Sequence, residues 1–196
     1  MKKTLLIDID DTLINSFELP IVNQFLGTNY GEEDFKSYIQ EIFTDPSEME
    51  RFHEFLFTQK VYGDDTIKVK DNAIRVVKKL SKAYSVYLCS DYTFWQKPWE
   101  SDRFFVGKFH FLKRHFNFIS PLQHIFLKEK QLLQADIMID DRIENFGENI
   151  RQRILFSAYH NKTISSDELR DRGIIRVDTW SDIESLLLDG KKRGDN

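Results

Sequence analysis

The sequence predicts an α/β protein, a doubly wound, Rossmann-like parallel sheet with a small helical cap inserted after the first strand. Three observations lead to this prediction. Short apolar runs typical of buried strands alternate with helical periodicity along most of the 196 residues. Two of these runs, the first and one near residue 140, lead directly into acidic residues. Residues 16–68, between the first run and the remaining ones, show only helical patterns.

The elements of the core follow in order along the chain. Residues 4–9 form the first strand, and a helix capped by Asp71 carries Ile74, Val77 and Leu80 on one face. A second strand and a long aromatic-rich helix that begins at Pro98 come next. We expect strands at residues 85–90, 135–139, 153–156 and 174–177. We expect helices at residues 98–115, at residues 144–150 and from about residue 181.

The inserted segment is predicted to hold three short helices, at residues 21–26, 32–43 and 46–58. Its aromatic and branched side chains recur at helical spacing. We therefore divide the chain into three parts. They are an α/β core of residues 1–15 and 69–190, a helical cap of residues 16–68, and a frayed tail of residues 191–196.

Composition restricts the class of protein. Hydrophobic residues make up 41% of the chain, enough for a sizeable core, and the net charge of −4 argues against a nucleic-acid partner. No run approaches the roughly 20 apolar residues of a membrane span, so we predict no membrane partner. The single cysteine, Cys89, cannot form an internal disulfide, which fits a reducing compartment. We predict a cytoplasmic protein.

Three of the predicted strands end in polar side chains. Asp8 and Asp10 lie at the end of the first, Ser90 at the end of another, and Asp140 and Asp141 at the end of a third. The carboxyl ends of neighbouring parallel strands open into one crevice, so these groups are expected to meet there. Clustered carboxylates repel each other and need a cation, and oxygen ligands without histidine or cysteine suit Mg²⁺. The sequence therefore predicts a magnesium site.

These residue types suit phosphoryl transfer. A carboxylate can attack phosphorus and form an aspartyl-phosphate, while a second one, two residues later, protonates the leaving alcohol and then activates water. A hydroxyl and an ammonium group can hold the remaining phosphate oxygens. Asp8, Asp10 and Ser90 can fill three of these roles. The ammonium group would come from a lysine just before the third strand, either Lys130 or Lys128.

The motifs resemble those of haloacid dehalogenase-like phosphatases. Asp-Ile-Asp-Asp-Thr-Leu at residues 8–13 is similar to the first motif, Asp-x-Asp-x-Thr after a hydrophobic strand. Leu88-Cys89-Ser90 resembles the second, a strand ending in Ser or Thr, and Met138-Ile139-Asp140-Asp141 the acidic fourth. The motifs occur in family order across the whole chain. The resemblance implies the haloacid dehalogenase type of fold and phosphatase activity.

A narrower resemblance concerns residues 130–142. They are similar to the run Lys-Thr-Val-Val-x-Ala-Asp-x-x-Ile-Asp-Asp-Arg of the 5′(3′)-deoxyribonucleotidases, which makes Lys130 the lysine of the third motif and Lys128 the second choice. The resemblance implies a (deoxy)nucleoside monophosphate as substrate and allows a homodimer. It also implies the roles of the acidic residues: Asp8 as nucleophile, Asp10 as acid and base, Asp8, the backbone carbonyl of Asp10 and Asp140 as Mg²⁺ ligands, and Asp141 bonded to a metal-bound water.

Two positions depart from the family pattern. Asp11 stands where these nucleotidases usually have glycine, and Asp91 where a small polar residue helps to bind phosphate. A carboxylate at Asp91 should weaken anion binding unless it is turned away or paired. Phe17 follows the first motif closely enough to stack on a base, whereas Phe94, Trp95 and Trp99 are expected to pack against the long helix. The five histidines show no ligand spacing and are expected in the core or on the surface.

Other functions remain open at this stage. The same chemistry could act on another small phosphate ester, such as a sugar phosphate, since the cap pattern does not reveal the substrate. Phosphoacceptor signalling domains also combine acidic pairs, a hydroxyl, a lysine and Mg²⁺, although in them the phosphorylated aspartate follows a middle strand. A third alternative is a homologue that binds nucleotide without turnover. The presence of both Asp8 and Asp10 favours an enzyme.

Overall fold

The computed structural model describes residues 1–35, 37–63, 66–94 and 96–189. At its centre lies a six-stranded sheet in the order β3-β2-β1-β4-β5-β6, and each neighbouring pair of strands is parallel. The strands are β1 (Thr4–Asp8), β2 (Ser85–Ser90), β3 (His124–Phe126), β4 (Ala135–Asp140), β5 (Ile150–Phe156) and β6 (Ile174–Val177).

Helices connect these strands. The α-helices are α1 (Glu18–Leu26), α2 (Pro46–Thr58), α3 (Ala73–Ala83), α4 (Asp102–His115), α5 (Ser166–Asp171) and α6 (Trp180–Glu184), with a π-helical turn at Ser185–Asp189. Short 3₁₀ turns lie at Glu32–Asp34, Ile39–Ile42, Pro98–Glu100, Pro121–Gln123, Lys130–Leu132, Ile143–Asn145 and Tyr159–Asn161. In the part of the chain that is described, no helix has the length and apolar character needed to cross a membrane.

The strand order reverses beside β1. The chain passes from β1 to β2 and β3 on one side, and then continues with β4 on the other side of β1. Ligands of open α/β sheets bind beyond the carboxyl ends of the strands at such a reversal. Ile7 pairs with Ile139, so the next residues, Asp8 and Asp140, lie side by side at this position.

The faces of the sheet are both covered. Side chains alternate between the two faces of a strand. Leu5 and Ile7 therefore share one face, where they join a large apolar cluster with α3, α4, α6 and the inserted segment. Leu6 packs on the opposite face with Met138. Leu155 shares that face and packs against α5. The doubly wound parallel sheet predicted from the sequence is confirmed.

Residues 16–68 leave and rejoin the core at a single point. An antiparallel bridge joins Ile14 to Val69, and the backbone N–H of Lys70 donates to the carbonyl of Leu13 at 2.9 Å. The segment between holds α1, which ends at Gly27 in the left-handed conformation (φ 66°), two 3₁₀ turns and α2. Its separation as a cap remains a prediction, and the tail of residues 191–196 lies outside the described residues.

Several elements differ from the sequence prediction. The helix expected at residues 32–43 is two 3₁₀ turns, since Phe35 between them is extended (φ −112°, ψ 136°) and places its ring 6.4 Å from that of Tyr159. Residues 144–150 contain only the end of a 3₁₀ turn before β5 begins. The sequence prediction also missed β3 and α5. Tertiary packing overrides local periodicity at these places.

The start of α3 and one aromatic contact also differ from the sequence prediction. The helix α3 begins after Asn72 (φ 64°) and not at a side-chain cap from Asp71, and Ile74 is exposed. Phe94 packs on Phe104 of α4 with ring centroids 4.4 Å apart, as predicted. Trp99 is 96% exposed, because it lies in the 3₁₀ turn before α4, so its predicted packing role is wrong. Trp95 lies outside the described residues.

Candidate active site

The carboxyl ends of three neighbouring strands bring the predicted site residues together. Asp8 ends β1, Ser90 ends β2 and Asp140 ends β4. A cavity of about 330 Å³ opens at this edge of the sheet. Its walls include most of the predicted site residues, namely Asp8, Asp10, Phe17, Ser90, Asp91, Lys130 and Asp141. Asp140 is fully buried beneath them.

An ammonium group joins the two strand-end carboxylates. Lys130, in the 3₁₀ turn before β4, donates to Asp8 Oδ1 and, at 2.9 Å, to Asp140 Oδ2. All three side chains are at least 95% buried. Lys128, the other candidate, is exposed and lies at the cavity wall. The structure therefore places Lys130, and not Lys128, against the proposed nucleophile.

The charges at this centre affect each other strongly. Burial and neighbouring carboxylates raise the pKa of Asp8, and burial also raises the pKa of Asp140. Burial alone would lower the pKa of Lys130, but Asp140 and Asp8 outweigh it and raise that pKa well above its usual value. Burial would likewise raise the pKa of Asp141, yet hydrogen bonds, first that from His160, lower it to about 2. Lys130 and Asp141 therefore stay charged at neutral pH.

The acidic side chains fit a metal ion. Asp8, Asp140 and Asp141 each offer a carboxylate oxygen, and these oxygens lie within 4.8 Å of one another. Asp11, Asp141 and His160 form a second group with the same spacing. The first group holds three buried carboxylates around one lysine, so a divalent cation would offset the remaining negative charge. The donor chemistry, all oxygen in the first group, agrees with the predicted Mg²⁺ site.

The carboxylate of Asp10 has different partners from the carboxylates of the potential metal site. Its Oδ2 accepts hydrogen bonds from Ser90 Oγ at 3.0 Å and Lys108 Nζ at 2.5 Å, and its Oδ1 accepts one from the Tyr62 hydroxyl at 2.8 Å. It belongs to neither of the two potential metal groups. Asp10 is thus held as a separate carboxylate beside the cavity, which suits the acid–base role predicted for it.

Lys108 is a site residue that the sequence analysis missed. It is 1% exposed, and its ammonium also contacts Ser90 Oγ at 2.6 Å and the backbone carbonyl of Asp91. It lies on the buried face of α4 with Phe104, Phe111 and Leu112. One lysine within the apolar stripe of a helix is a signal that could have identified it, because an unpaired lysine is almost never buried.

The two departures from the family pattern have local explanations. Asp11 has φ 55°, a left-handed conformation that glycine adopts freely and aspartate tolerates better than most residues. Asp91 accepts hydrogen bonds from the backbone N–H groups of Tyr92 and Thr93 at 2.7 and 2.8 Å. Its carboxylate is therefore paired within its own loop, which answers the expected repulsion of a phosphate. Phe17 lines the cavity and packs 5.9 Å from the ring of Tyr62.

His160 is the second residue that the sequence analysis missed, since no ligand spacing marked it. Its Nε2 lies 2.7 Å from Asp141 Oδ2, and its ring stacks on Tyr38 with centroids 4.8 Å apart. The guanidinium of Arg142 lies 4.6 Å from the centroid of the Tyr38 ring. On the other side of the centre, Asn145 Nδ2 donates to Asp140 Oδ1 at 2.8 Å. These contacts fix the acidic pair at the end of β4.

Known proteins share this sequence pattern. A family described as 5′ nucleotidase, deoxy (Pyrimidine), cytosolic type C protein matches residues 2–193. A 5′(3′)-deoxyribonucleotidase of Bacillus subtilis (strain 168) is 32% identical over 122 residues, which are 62% of this chain and 63% of the relative. One from Clostridium acetobutylicum is 26% identical over 191 residues, 94% of each chain.

A protein of Staphylococcus aureus (strain Mu50 / ATCC 700699) is 30% identical over 123 residues, 63% of this chain. The match spans 61% of that relative's length. The alignments with this relative and the Bacillus protein therefore reach less than two thirds of either one.

Solved structures share the fold. "A predicted phosphatase" from Clostridium acetobutylicum superposes with a TM-score of 0.58 at 18% identity, covering 96% of this chain and 99% of that one. A haloacid dehalogenase family hydrolase from Deinococcus radiodurans R1, with bound phosphate and sodium, gives 0.57 at 12% identity, covering 97% and 96%. At such identities the likeness shows the fold alone. With the family match over residues 2–193, the chain belongs to the cytosolic type C 5′-nucleotidase family, and its fold is that of a haloacid dehalogenase family hydrolase.

Proposed function

We propose that this protein is a Mg²⁺-dependent phosphomonoesterase that hydrolyses (deoxy)nucleoside monophosphates through an aspartyl-phosphate on Asp8. One observation carries the proposal. Asp8, at the carboxyl end of β1, accepts a hydrogen bond from the buried ammonium group of Lys130 and lies beside the acidic pair at the end of β4. A carboxylate so placed can act as a nucleophile toward a phosphate whose charge the surrounding cations offset.

The proposed reaction has two displacements. In the first, an Asp8 oxygen bonds to phosphorus, the bond from phosphorus to the nucleoside oxygen breaks, and Asp10 gives its proton to that oxygen. In the second, a water molecule loses a proton to Asp10 and attacks phosphorus, which releases inorganic phosphate and regenerates the Asp8 carboxylate. Each displacement leaves Asp10 in the protonation state that the next one requires.

The remaining charged and polar residues bind and orient. Ser90 Oγ and Lys130 Nζ would hold the phosphate oxygens that do not react. Asp8, Asp140 and the backbone carbonyl of Asp10 would hold Mg²⁺, with Asp141 bonded to one of its waters. When bound, the cation offsets the negative charge of the phosphate and of the carboxylates around it.

The space for the nucleoside lies between the sheet edge and the inserted segment. A second cavity of about 600 Å³ adjoins the first, and the two share Tyr38, Phe94 and Arg142 in their walls. The inserted segment adds Gln40 and Phe43 to the second cavity. These side chains combine aromatic rings with hydrogen-bonding groups, which suits a base. The named 5′(3′)-deoxyribonucleotidases among the relatives support this choice of substrate.

The test is phosphate release from a panel of 5′-, 3′- and 2′-nucleotides, in ribo and deoxy forms, and sugar phosphates, each with Mg²⁺ and with EDTA. We expect Mg²⁺-dependent release with preference for deoxynucleoside monophosphates. Release from sugar phosphates alone would keep the reaction and reject the nucleotide substrate. No release from any ester would reject the phosphatase proposal in favour of nucleotide binding or phosphoacceptor signalling.

A further inference from the structure

A side chain of the inserted segment reaches the proposed acid–base residue. We propose that Tyr62 is a positioning residue, whose hydroxyl fixes the Asp10 carboxyl for proton transfer to the leaving group. This inference rests on the phosphatase function proposed above. Tyr62 lies after α2, in a stretch that no motif of the sequence marks.

The two oxygens of Asp10 have different surroundings. Oδ2 is held by Lys108 Nζ at 2.5 Å and by Ser90 Oγ at 3.0 Å. A proton on Oδ2 would face this ammonium group, so Oδ1 is the oxygen that can carry the proton. Among the described residues, the Tyr62 hydroxyl, at 2.8 Å, is the hydrogen-bond partner of Oδ1. Asp10 keeps 25% of its side chain exposed, so the carboxyl remains accessible from the cavity.

Tyr62 is itself held firmly by α4. Arg114 Nη2 donates to the backbone carbonyl of Tyr62 at 3.1 Å, and Lys108 Nζ lies 5.1 Å from the centroid of the Tyr62 ring. A Cβ atom at Gly107 would lie 3.3 Å from Cδ2 and 3.4 Å from Cβ of Tyr62. Glycine inside a helix costs about 1 kcal/mol relative to alanine. Its presence at this contact lets the tyrosine ring pack closely against the helix.

The packing of the Tyr62 ring connects the cavity wall to the acid–base residue. The ring of Tyr62 packs 5.9 Å from that of Phe17, which lines the cavity. Tyr62 is 7% exposed, so its position depends on the packing of the inserted segment against α4. A hydroxyl placed in this way fixes the direction of the Asp10 carboxyl without contacting the reacting phosphorus. Loss of the Tyr62 hydroxyl should therefore slow hydrolysis of those esters whose leaving oxygen needs a proton.

Leaving groups separate this role from a structural one. A nucleoside alkoxide is a poor leaving group, and its departure requires the proton from Asp10 as the bond to phosphorus breaks. p-Nitrophenolate leaves as a stable anion without that proton. The ratio of kcat/KM for the two kinds of ester reports the steps up to release of the leaving group. It therefore measures how well Asp10 acts as an acid.

The experiment compares Tyr62→Phe with the unchanged protein on a deoxynucleoside monophosphate and on p-nitrophenyl phosphate. We expect kcat/KM to fall about 10- to 100-fold for the nucleotide, part of the gain that general acid catalysis supplies. For p-nitrophenyl phosphate we expect a fall of less than about threefold, with an unchanged melting temperature. Tyr84→Phe is the matched control, because it removes a buried hydroxyl that donates to the Leu187 carbonyl, outside the site. It should leave the ratio unchanged.

Combination with Asp10→Asn provides a second measurement. If Tyr62 acts through Asp10, adding Tyr62→Phe to Asp10→Asn should cause no further loss with the nucleotide. Equal losses with both esters, or additive losses in the double variant, would overturn the inference. If the unchanged protein accepts p-nitrophenyl phosphate and an alkyl phosphate that is not a nucleotide, but no nucleotide, the nucleotide substrate is rejected and the accepted alkyl ester replaces it in the ratio. Inactivity on every ester would reject the proposed function together with the inference.

Discussion

Asp8 combines two opposing demands on one side chain. Its burial and three neighbouring carboxylates raise its pKa, whereas a nucleophile must be ionised. The Lys130 ammonium is the one described cation that bonds it directly, and it lowers the cost of the negative charge. A divalent cation held by Asp8 and Asp140 would lower that cost further. The reactivity of Asp8 therefore depends on the cations around it.

Asp8→Asn tests the nucleophile. The amide has the same shape but cannot form an acyl phosphate, so we expect kcat to fall by roughly a thousandfold or more while the protein stays folded. Phosphate release and far-UV circular dichroism measure the two effects. Asp167→Asn, on the exposed side of α5, is the control and should retain activity. Activity of Asp8→Asn within tenfold of the unchanged protein would reject Asp8 as the nucleophile.

Lys130 and Lys128 can be separated by the same substitution at each position. Lys130→Met removes the cation that joins Asp8 to Asp140, and leaving buried charges unpaired costs about 3–5 kcal/mol. We expect loss of activity and a lower melting temperature. Lys128→Met, at an exposed position, should keep its melting temperature and lose only a few-fold in kcat/KM. The opposite pattern in thermal melts and phosphate release would assign the third-motif role to Lys128.

Among the elements, the strands that carry the site were the most predictable. β1, β2 and β4 are continuous apolar runs that lead into acidic or hydroxyl residues, and their predicted limits agree with the structure within one residue. β3 has three residues, none of them fully buried, so it has no comparable pattern. The 3₁₀ turns at residues 32–42 follow from packing on distant residues, which local periodicity cannot report.

The site residues also divide into those that the sequence predicts and those that it does not. Asp8, Ser90 and Asp140 are fixed by the ends of neighbouring strands, so topology brings them together. Lys108 and Tyr62 reach Asp10 only because α4 and the inserted segment fold over the sheet edge. Such contacts join residues far apart in the chain and leave little trace in local sequence. Stretches that fold over a motif-bearing edge are therefore where further site residues should be sought.

Gly147 gives a prediction for the turn that carries Lys130. A Cβ atom at residue 147 would lie 2.0 Å from the backbone carbonyl oxygen of Gln131, within the 3₁₀ turn Lys130–Leu132. Backbone must move to admit it, which typically costs about 1–3 kcal/mol. We expect Gly147→Ala to lower both the melting temperature and kcat, because Lys130 moves with its turn. Glu148→Ala, at the exposed neighbour, should do neither. Unchanged melting and turnover in Gly147→Ala would show that this close approach is not required.

For the molecule as a whole, the sheet and the inserted segment share one core. Leu5 and Ile7 of β1 belong to the same apolar cluster as Phe52 and Leu56 of α2. Burial of this shared surface favours folding of the two parts together. The acidic centre opposes that stabilisation, since Asp8, Asp140 and Asp141 are buried next to each other. A ligand that relieves their repulsion should therefore stabilise the whole chain.

Mg²⁺ is expected to act in this way. An ion that binds only the folded state at 100 times its Kd adds about 2.7 kcal/mol to the free energy of unfolding. For a chain of 196 residues this corresponds to a rise in melting temperature of roughly 5–10 °C. Differential scanning fluorimetry in MgCl₂, with NaCl at equal ionic strength as the reference, measures the shift. EDTA should reverse it and remove phosphatase activity.

Asp140→Asn shows whether the shift comes from the carboxylate centre. Its amide keeps an oxygen beside Lys130 but removes one of the charges that would hold the cation, so the Mg²⁺-dependent rise should become much smaller. Asp136→Asn changes an aspartate at the opposite end of β4, where it accepts from the Thr4 backbone N–H, and should leave the rise intact. Equal rises in both variants would place the bound Mg²⁺ elsewhere. Full activity of the unchanged protein in EDTA would show that the reaction does not require the cation.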